Sequence, residues 1–383
     1  MISFARGAPA PECLDADLLA DCARSAIETD PSVLAYGSGG GYAPLRESLG
    51  ARHGVDPGRV LLTTGGLQGF VFYAEELLGS RPGRVLVEAP TYDRPLKVLA
   101  RLGADVVALP MDDEGLDPDV LARELAAGET SFLYTIPTFQ NPSGRTLSTD
   151  RRRRVVELAA AHGVPVLEDD PYGLVRYEGE APPSLFDLEG GTLVTYASSF
   201  SKTVAPGLRV GWFVAPAELA ARIEARAVST YISPPFLTQA TVHELMTRGA
   251  FEPNLERIRG LLKTRRDAML AALERELGGG EATWSEPEGG YFLWVDLPNE
   301  TADLLQRAEA AGVTFVKGSD FFPATVGAGS ASAEADDDRA KTPEAAASRP
   351  GGAGERSARL AFSYASPSEI DSGVSTLASL LRV

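Results

Sequence analysis

The chain has 383 residues, with 36 Lys+Arg against 53 Asp+Glu and a formal charge of −17. Hydrophobic residues make up 44%, which suits a globular core and excludes disorder of the whole chain, and at roughly 150 residues per domain the length predicts about two domains. So acidic a surface repels phosphate and argues against a nucleic-acid binder.

In chain order, runs with strand character at 60–64, 84–88, 105–109, 132–135, 164–167, 193–196 and 210–214 alternate with helical patterns at 67–78, 95–102, 117–127 and 149–162. This alternation predicts an α/β layer on a mostly parallel sheet, with ligands at the carboxyl ends of the strands. Beyond residue 216, long helical patterns run to about 277, broken near Pro234-Pro235 and Pro253. Strands at 291–295, 314–316 and 360–364 and helices at 302–311 and 368–381 then predict a smaller α+β domain, completed by the N-terminal segment. The expected division is 1–40 for that segment, 41–255 for the large domain and 256–383 for the small one. From about 327 to 357 the chain is almost wholly Ala, Gly, Ser, Asp, Glu, Arg and Pro, a composition that predicts a disordered surface insertion.

No apolar run approaches the ~18 residues of a membrane span, and the residues from Met1 to Gly7 lack a signal-peptide pattern. Cys13 and Cys22, nine apart in a helical stretch, do not favour a disulfide, and so few cysteines point to a reducing cytoplasm. His53, His162 and His243 are scattered and offer no metal site.

Four segments carry candidate chemistry. The first is Ser198-Ser199-Phe200-Ser201-Lys202, followed closely by Pro206-Gly207-Leu208-Arg209. Lysine is scarce in this chain: Lys97, Lys202, Lys263, Lys317 and Lys341 are the only five. A lysine at a strand end, partly desolvated in a cleft, can act as a neutral amine and form a Schiff base. Ser199, Ser201 and Arg209 suit a phosphate. The second is Glu168-Asp169-Asp170-Pro171-Tyr172, which puts an acid and a phenol at the ligand edge; such acids also serve as helix caps or metal ligands. A buried carboxylate there can hold a pyridine nitrogen protonated. The third is Thr63-Thr64-Gly65-Gly66-Leu67, a strand-to-helix turn whose free amides can bind phosphate. The fourth is Gln140-Asn141-Pro142, a turn or a means of aiming the Asn141 amide into the cleft.

Together these segments resemble pyridoxal-phosphate enzymes of the aspartate aminotransferase fold, especially the group with 2-aminoadipate aminotransferase and the enzyme-like domain of MocR-type regulators. The likeness extends to Gly41-Tyr42-Ala43-Pro44-Leu45-Arg46, Glu88-Ala89-Pro90-Thr91-Tyr92, Gly289-Gly290-Tyr291-Phe292 and Arg359-Leu360. It implies fold type I, with a mostly parallel seven-stranded sheet in the large domain and a smaller α+β domain. It implies transamination between an L-amino acid and a 2-oxo acid, 2-oxoglutarate or pyruvate, in ping-pong fashion on pyridoxal 5′-phosphate. By the same resemblance Lys202 would hold the cofactor and shuttle a proton, and Asp169 would pair with the pyridinium nitrogen. Tyr172 and Asn141 would bond the 3′-oxygen, and Tyr92 would stack on the ring. The amides of Gly66 and Leu67, with Ser199, Ser201 and Arg209, would hold the phosphate. Tyr36 would reach the phosphate of a neighbouring subunit, which implies a homodimer with a shared site. Arg359, helped by Asn141, would clamp the substrate α-carboxylate.

Two departures stand out against the family. Gly66-Leu67 lies where Ser or Ala and then Gln are more usual, and Gly69 is a poor helix residue where Ala is usual. Two rivals share the cofactor: a β-lyase, decarboxylase or racemase, and a non-catalytic sensor module. Elsewhere, residues 151–154, all arginine, read as a solvated helix face, and Tyr291, Phe292 and Trp294 read as strand core. Tyr231 and Phe236 read as either entrance lining or core. Arg6 is a candidate for approaching an acidic substrate side chain.

Overall fold

The computed structural model describes residues 1–79, 83–280, 282–323 and 352–382. The N-terminal stretch forms β1 (Ile2–Ser3), α1 (Ala16–Thr29) and α2 (Ala43–His53). The alternating region gives β2 (Val60–Thr63), α3 (Gly66–Leu78), β3 (Arg84–Ala89), α4 (Asp93–Arg101), β4 (Asp105–Asp112), β5 (Gly115–Leu116), α5 (Pro118–Ala127) and β6 (Phe132–Thr135). It continues through α6 (Thr149–His162), β7 (Val166–Asp169), α7 (Leu185–Glu189), β8 (Val194–Ser199) and β9 (Gly211–Val214). Next come α8 (Ala217–Tyr231), α9 (Phe236–Thr247), α10 (Phe251–Leu277), β10 (Thr283–Trp284) and β11 (Phe292–Asp296). The chain ends with α11 (Thr301–Ala310), β12 (Val313–Thr314), β13 (Val316–Lys317), β14 (Ser357–Ala361) and α12 (Pro367–Leu381).

The main sheet has the order β2-β9-β8-β7-β6-β3-β4-β5. All seven expected strands form, and the two-residue β5 adds an antiparallel edge through Met111↔Leu116. β4, β3, β6, β7 and β8 are mutually parallel. β9 runs antiparallel to both β8 and β2, so β2 also points with the parallel set. Successive residues of each strand enter opposite cores, as a pleated backbone requires. Leu62, Leu86, Leu133, Val166 and Trp212 join one cluster with α2, α5 and α6. Leu61, Val87, Tyr134, Leu167 and Phe213 join another with α3 and α8. Both faces are covered, which explains strands that read as continuous apolar runs.

A second sheet, β10-β11-β14-β13, is antiparallel. β1 pairs in parallel with β12, so the first residues of the chain lie beside residues 313–314. The expected strand at 314–316 is divided: buried Phe315 separates β12, which pairs with β1, from β13, which pairs with β14. The strand expected at 360–364 begins three residues earlier, because pairing with β11 starts at Ser357↔Asp296. Of the insertion expected at 327–357, residues 327–351 lie outside the described residues. The expectation fails for 352–357. Despite their polar composition, the carbonyls of Glu355 and Arg356 accept the amides of Thr301 and Leu297 at 2.8 Å each, and Ser357 opens β14.

The four consecutive arginines are not one solvated face. Arg152 is 1% exposed and faces equally buried Glu168 at 3.7 Å. It donates to the carbonyls of Pro137 (2.7 Å) and Leu147 (2.9 Å) and to Thr138 Oγ1 (2.8 Å). Among the described residues no helix is long and apolar enough to cross a membrane.

The glycine at 69 also has a packing reason: a Cβ there would lie 2.0 Å from the ring of buried Phe213 in the facing strand. We therefore expect Gly69→Ala to destabilise the protein by about 1–3 kcal/mol through overpacking, despite a helix-propensity gain of about 1 kcal/mol. Urea unfolding of the purified variant checks the sign.

Candidate active site

The shared direction of β2, β3, β6, β7 and β8 brings their carboxyl ends to one edge, and antiparallel β9 begins at the same edge. A cleft of about 370 Å³ opens there. Its walls include Gly66, Leu67, Tyr92, Asn141, Asp169, Tyr172, Ser199, Ser201, Lys202, Arg209 and Arg359. Every expected site residue is therefore gathered in it except Tyr36, which is 83% exposed on the surface.

One end of the cleft is built for an anion. α3 starts directly after β2, with no side chain among the described residues capping its N-terminus, so its first amides are open. Gly211 lies opposite both Thr63 and Ser199. A Cβ on Gly211 would come within 2.7 Å of the Gly65 carbonyl carbon and the Gly66 nitrogen, so only glycine lets β9 pass this turn. Arg209 precedes β9 in left-handed backbone (φ 54°), a conformation that a non-glycine residue holds only under surrounding constraint. Its Nη2 donates to the Thr64 carbonyl at 3.3 Å, and its Nη1 reaches Ser201 Oγ at 3.5 Å. Ser199 Oγ lies 2.8 Å from Ser201 Oγ and accepts the Ser201 amide at 3.1 Å.

Lys202 follows β8. Its Nζ donates to the Gly7 carbonyl at 2.6 Å and lies 5.2 Å from the Tyr291 ring centre and 5.7 Å from that of Tyr172. Burial, and then the positive Arg359 and Arg209, bring its pKa down to about 8, against a counter-pull from Asp169. About a tenth of the amine is then neutral at pH 7. Asp169 ends β7, and Tyr134 donates to its Oδ2 at 2.8 Å. Burial raises the Asp169 pKa to about 7, with Asp170 and Glu88 adding to the rise and Tyr134 and Lys202 opposing it. Tyr172 is buried, and burial raises its phenol well above the ordinary range.

At the other end, Arg359 Nη1 donates to Asn141 Oδ1 at 3.0 Å and Nη2 to the Ala5 carbonyl at 2.8 Å. Its guanidinium lies 4.3 Å from the Phe292 ring centre and 5.0 Å from that of Phe321. Burial, foremost, lowers its pKa to about 10, and its buried Nε has no hydrogen-bond partner among the described residues. Asn141 is held by the turn around Gln140, whose Nε2 donates to the Pro90 carbonyl (2.7 Å) and to Glu88 Oε2 (3.1 Å). Glu88, 1% exposed, also accepts from Thr135 Oγ1 at 2.5 Å and from the Ile136 amide at 3.1 Å.

These groups fit a phosphorylated pyridine aldehyde: an amine with a lowered pKa, a half-buried carboxylate for a ring nitrogen, an anion cradle at one end and an incompletely bonded arginine at the other. The sequence reading missed Tyr134 and Phe292. Tyr134 is one residue from the end of β6, beside β7, but its bond to Asp169 needs the sheet order. Phe292 reads as strand core, yet it lines the cleft under Arg359. Arg6 does not enter the cleft; its guanidinium lies 4.3 Å from the Tyr364 ring centre. Tyr231 stacks on Phe72 at 5.7 Å, and Phe236 meets Tyr42 edge-on at 5.7 Å, so both pack away from the cleft walls.

For the cofactor-free protein, the lowered pKa of Lys202 gives a definite pH profile. Capture of an aldehyde by Lys202, trapped with borohydride, rises with pH and levels off above about 8 rather than above the ordinary lysine value of 10.5. Replacing Arg359 with Leu removes a positive neighbour and shifts that plateau to higher pH.

The family model for class I and II aminotransferases matches residues 5–322. Aromatic-amino-acid aminotransferase 1 of Thermococcus litoralis is 36% identical over 341 residues, covering 84% of this chain and 80% of that protein. The 2-aminoadipate transaminase of Thermus thermophilus is 37% identical over 329 residues, covering 84% of this chain and 82% of that one. The crystal structure of LysN, an α-aminoadipate aminotransferase of Thermus thermophilus complexed with N-(5′-phosphopyridoxyl)-L-leucine, aligns with a TM-score of 0.88 at 33% identity. The alignment covers 100% of this chain and 92% of that one. The chain belongs to the class I and II aminotransferases and is a fold-type-I, pyridoxal-phosphate-dependent transaminase.

Proposed function

We propose that the amino donor is an L-amino acid held by its α-carboxylate on Arg359, and that the acceptor is 2-oxoglutarate or pyruvate bound in the same place. The observation that carries this reading is that one cleft holds the Lys202 amine, the anion cradle and a buried arginine with a donor unpaired among the described residues. Pyridoxal phosphate, when bound, supplies an electron sink for charge developing at the substrate Cα.

The chain's own residues then have distinct tasks. Lys202 Nζ would hold the cofactor through its aldehyde carbon and would move the proton between the substrate Cα and the cofactor C4′. Its depressed pKa suits proton transfer near neutral pH. Asp169 would carry negative charge against the protonated ring nitrogen; the gain of that partner would lower a pKa that burial, foremost, together with Asp170 and Glu88 raises to about 7. Tyr172 and Asn141 would donate to the 3′-oxygen, and Tyr92 would cover one ring face. The Gly66 and Leu67 amides, Ser199, Ser201 and Arg209 would fix the phosphate. Phe292 excludes water from the face of Arg359, which strengthens its grip on a carboxylate.

The same reading makes the protein a cytoplasmic homodimer in which Tyr36 of each protomer reaches the partner's phosphate cradle. In support, Tyr36 is 83% exposed, with Leu34 (63%) near it in the chain and Ile232 (55%) on the adjoining segment, which the Gly37 amide joins by donating to Ser233 Oγ at 3.2 Å. Apolar side chains gathered on a surface suit a protein contact. Cys13 and Cys22 are free. The division of the chain into 41–255 and 256–383, with 1–40 joined to the latter, belongs to this reading. β1 pairing with β12 supports it, and α10 runs through the boundary at 255.

A panel of amino acids, mixed with cofactor-loaded protein, is expected to convert bound cofactor to its amine form, read by absorbance. If no donor converts it, the proposed reaction is wrong. Lys202→Ala abolishes conversion, and Arg359→Leu lowers kcat/KM about a hundredfold for every donor, mainly through KM. For the shared site, Lys202→Ala and Tyr36→Ala proteins are each expected to be weak, and mixed dimers to regain activity because one of their two sites carries neither change. No recovery on subunit exchange counts against the partner role of Tyr36.

A further inference from the structure

The cleft walls carry four cationic side chains, Lys202, Arg209, Arg359 and Arg94, against two carboxylates, Asp93 and Asp169, on a chain whose total charge is −17. Under the proposed function, Lys202, Arg209, Arg359 and Asp169 all have tasks. Arg94 and Asp93 have none. Stability gives no reason for Arg94, since a cation in the first turn of α4 opposes the helix dipole. Its Nη1 donates to Asp93 Oδ2 at 2.7 Å, and Lys97 Nζ donates to the same oxygen at 2.6 Å. The Arg94 side chain is 54% exposed, so most of its five donors remain available. Arg94 and Asp93 also act on the charge of Arg359, in opposite senses, which puts both within electrostatic reach of it.

We propose that Arg94 is a specificity-determining residue that receives the distal carboxylate of a dicarboxylic substrate, with Asp93 as the resident counter-ion that the substrate displaces. The inference rests on the assignment of the α-carboxylate to Arg359. A ping-pong enzyme admits two different side chains to one cleft in turn. An arginine already paired with its neighbour presents little net charge to an uncharged side chain. When a dicarboxylate enters, Arg94 exchanges one carboxylate for another, and Lys97 keeps Asp93 paired. Neither substrate then leaves an unpaired charge in the cleft.

The test measures binding of glutarate, an unreactive dicarboxylate, and of pentanoate, its monocarboxylate counterpart, to the cofactor-loaded protein by calorimetry. Arg94→Gln is expected to weaken glutarate about tenfold relative to pentanoate, and Asp93→Asn to tighten glutarate. Equal losses for both ligands, or no loss for glutarate, overturn the proposal. In turnover, the ratio of kcat/KM for glutamate to that for alanine falls about tenfold in Arg94→Gln, through KM; an unchanged ratio overturns it as well. The glutarate arm needs no reaction, so it decides the role of Arg94 even if no amino acid is transaminated. That second failure would fall on the proposed function alone.

Discussion

The electrostatic setting of one amine governs the site. Lys202 sits where β8 leaves the sheet, partly withdrawn from water and near two guanidinium groups, and each of these lowers the cost of losing its proton. Asp169 acts in the other direction. The two are coupled, because the carboxylate favours the charged amine while burial favours neutrality in both. A lysine on the open surface of the same protein, such as Lys263 between Glu178 and Asp267, has its pKa raised instead. The difference lies in the neighbours that the fold supplies.

Two buried carboxylates, Glu88 and Glu168, frame this site without entering it. Glu88 joins the ends of β3 and β6 to Gln140 and so fixes the turn that presents Asn141. Glu168, next to Asp169 but facing the other side of the sheet, accepts the Leu185 and Phe186 amides at 3.0 and 2.9 Å and faces Arg152. Such groups are strongly destabilising when a partner is removed, because the remaining charge or polar atom stays buried. They also hold backbone geometry rigidly, which a reaction with strict orientation requires. The cleft is more cationic than its surroundings, and an acidic exterior with a cationic interior favours anionic ligands once they enter it.

The strand–helix alternation between 60 and 214 was legible because covered parallel strands are apolar throughout, whereas the helices carry a wider period. The site residues were legible for a related reason: polar or charged residues directly after such strands fall on one edge. Lys202, Asp169 and Asn141 could be picked on that basis and joined by a resemblance. Gly69 looked like a defect until the Phe213 ring supplied its reason. Arg152 looked like a surface charge because it sits in a short run of four arginines that opens a helix, and its burial shows only in its contact with Glu168 of β7.

The order of residues by itself determined which segments become strands and helices and which reactive groups end up at strand termini, because hydrophobic periodicity and strand-end position are local properties. Only the tertiary structure decided the distances that give those groups their chemistry: Tyr134 on Asp169, Phe292 beneath Arg359, Gly7 on the Lys202 amine, and Arg94 at the cleft wall. Each of these contacts joins segments far apart in the chain or depends on how the fold orients a side chain. Their pKa values and donor counts follow from burial, which no stretch of sequence possesses until the sheet and its covering helices have closed around it.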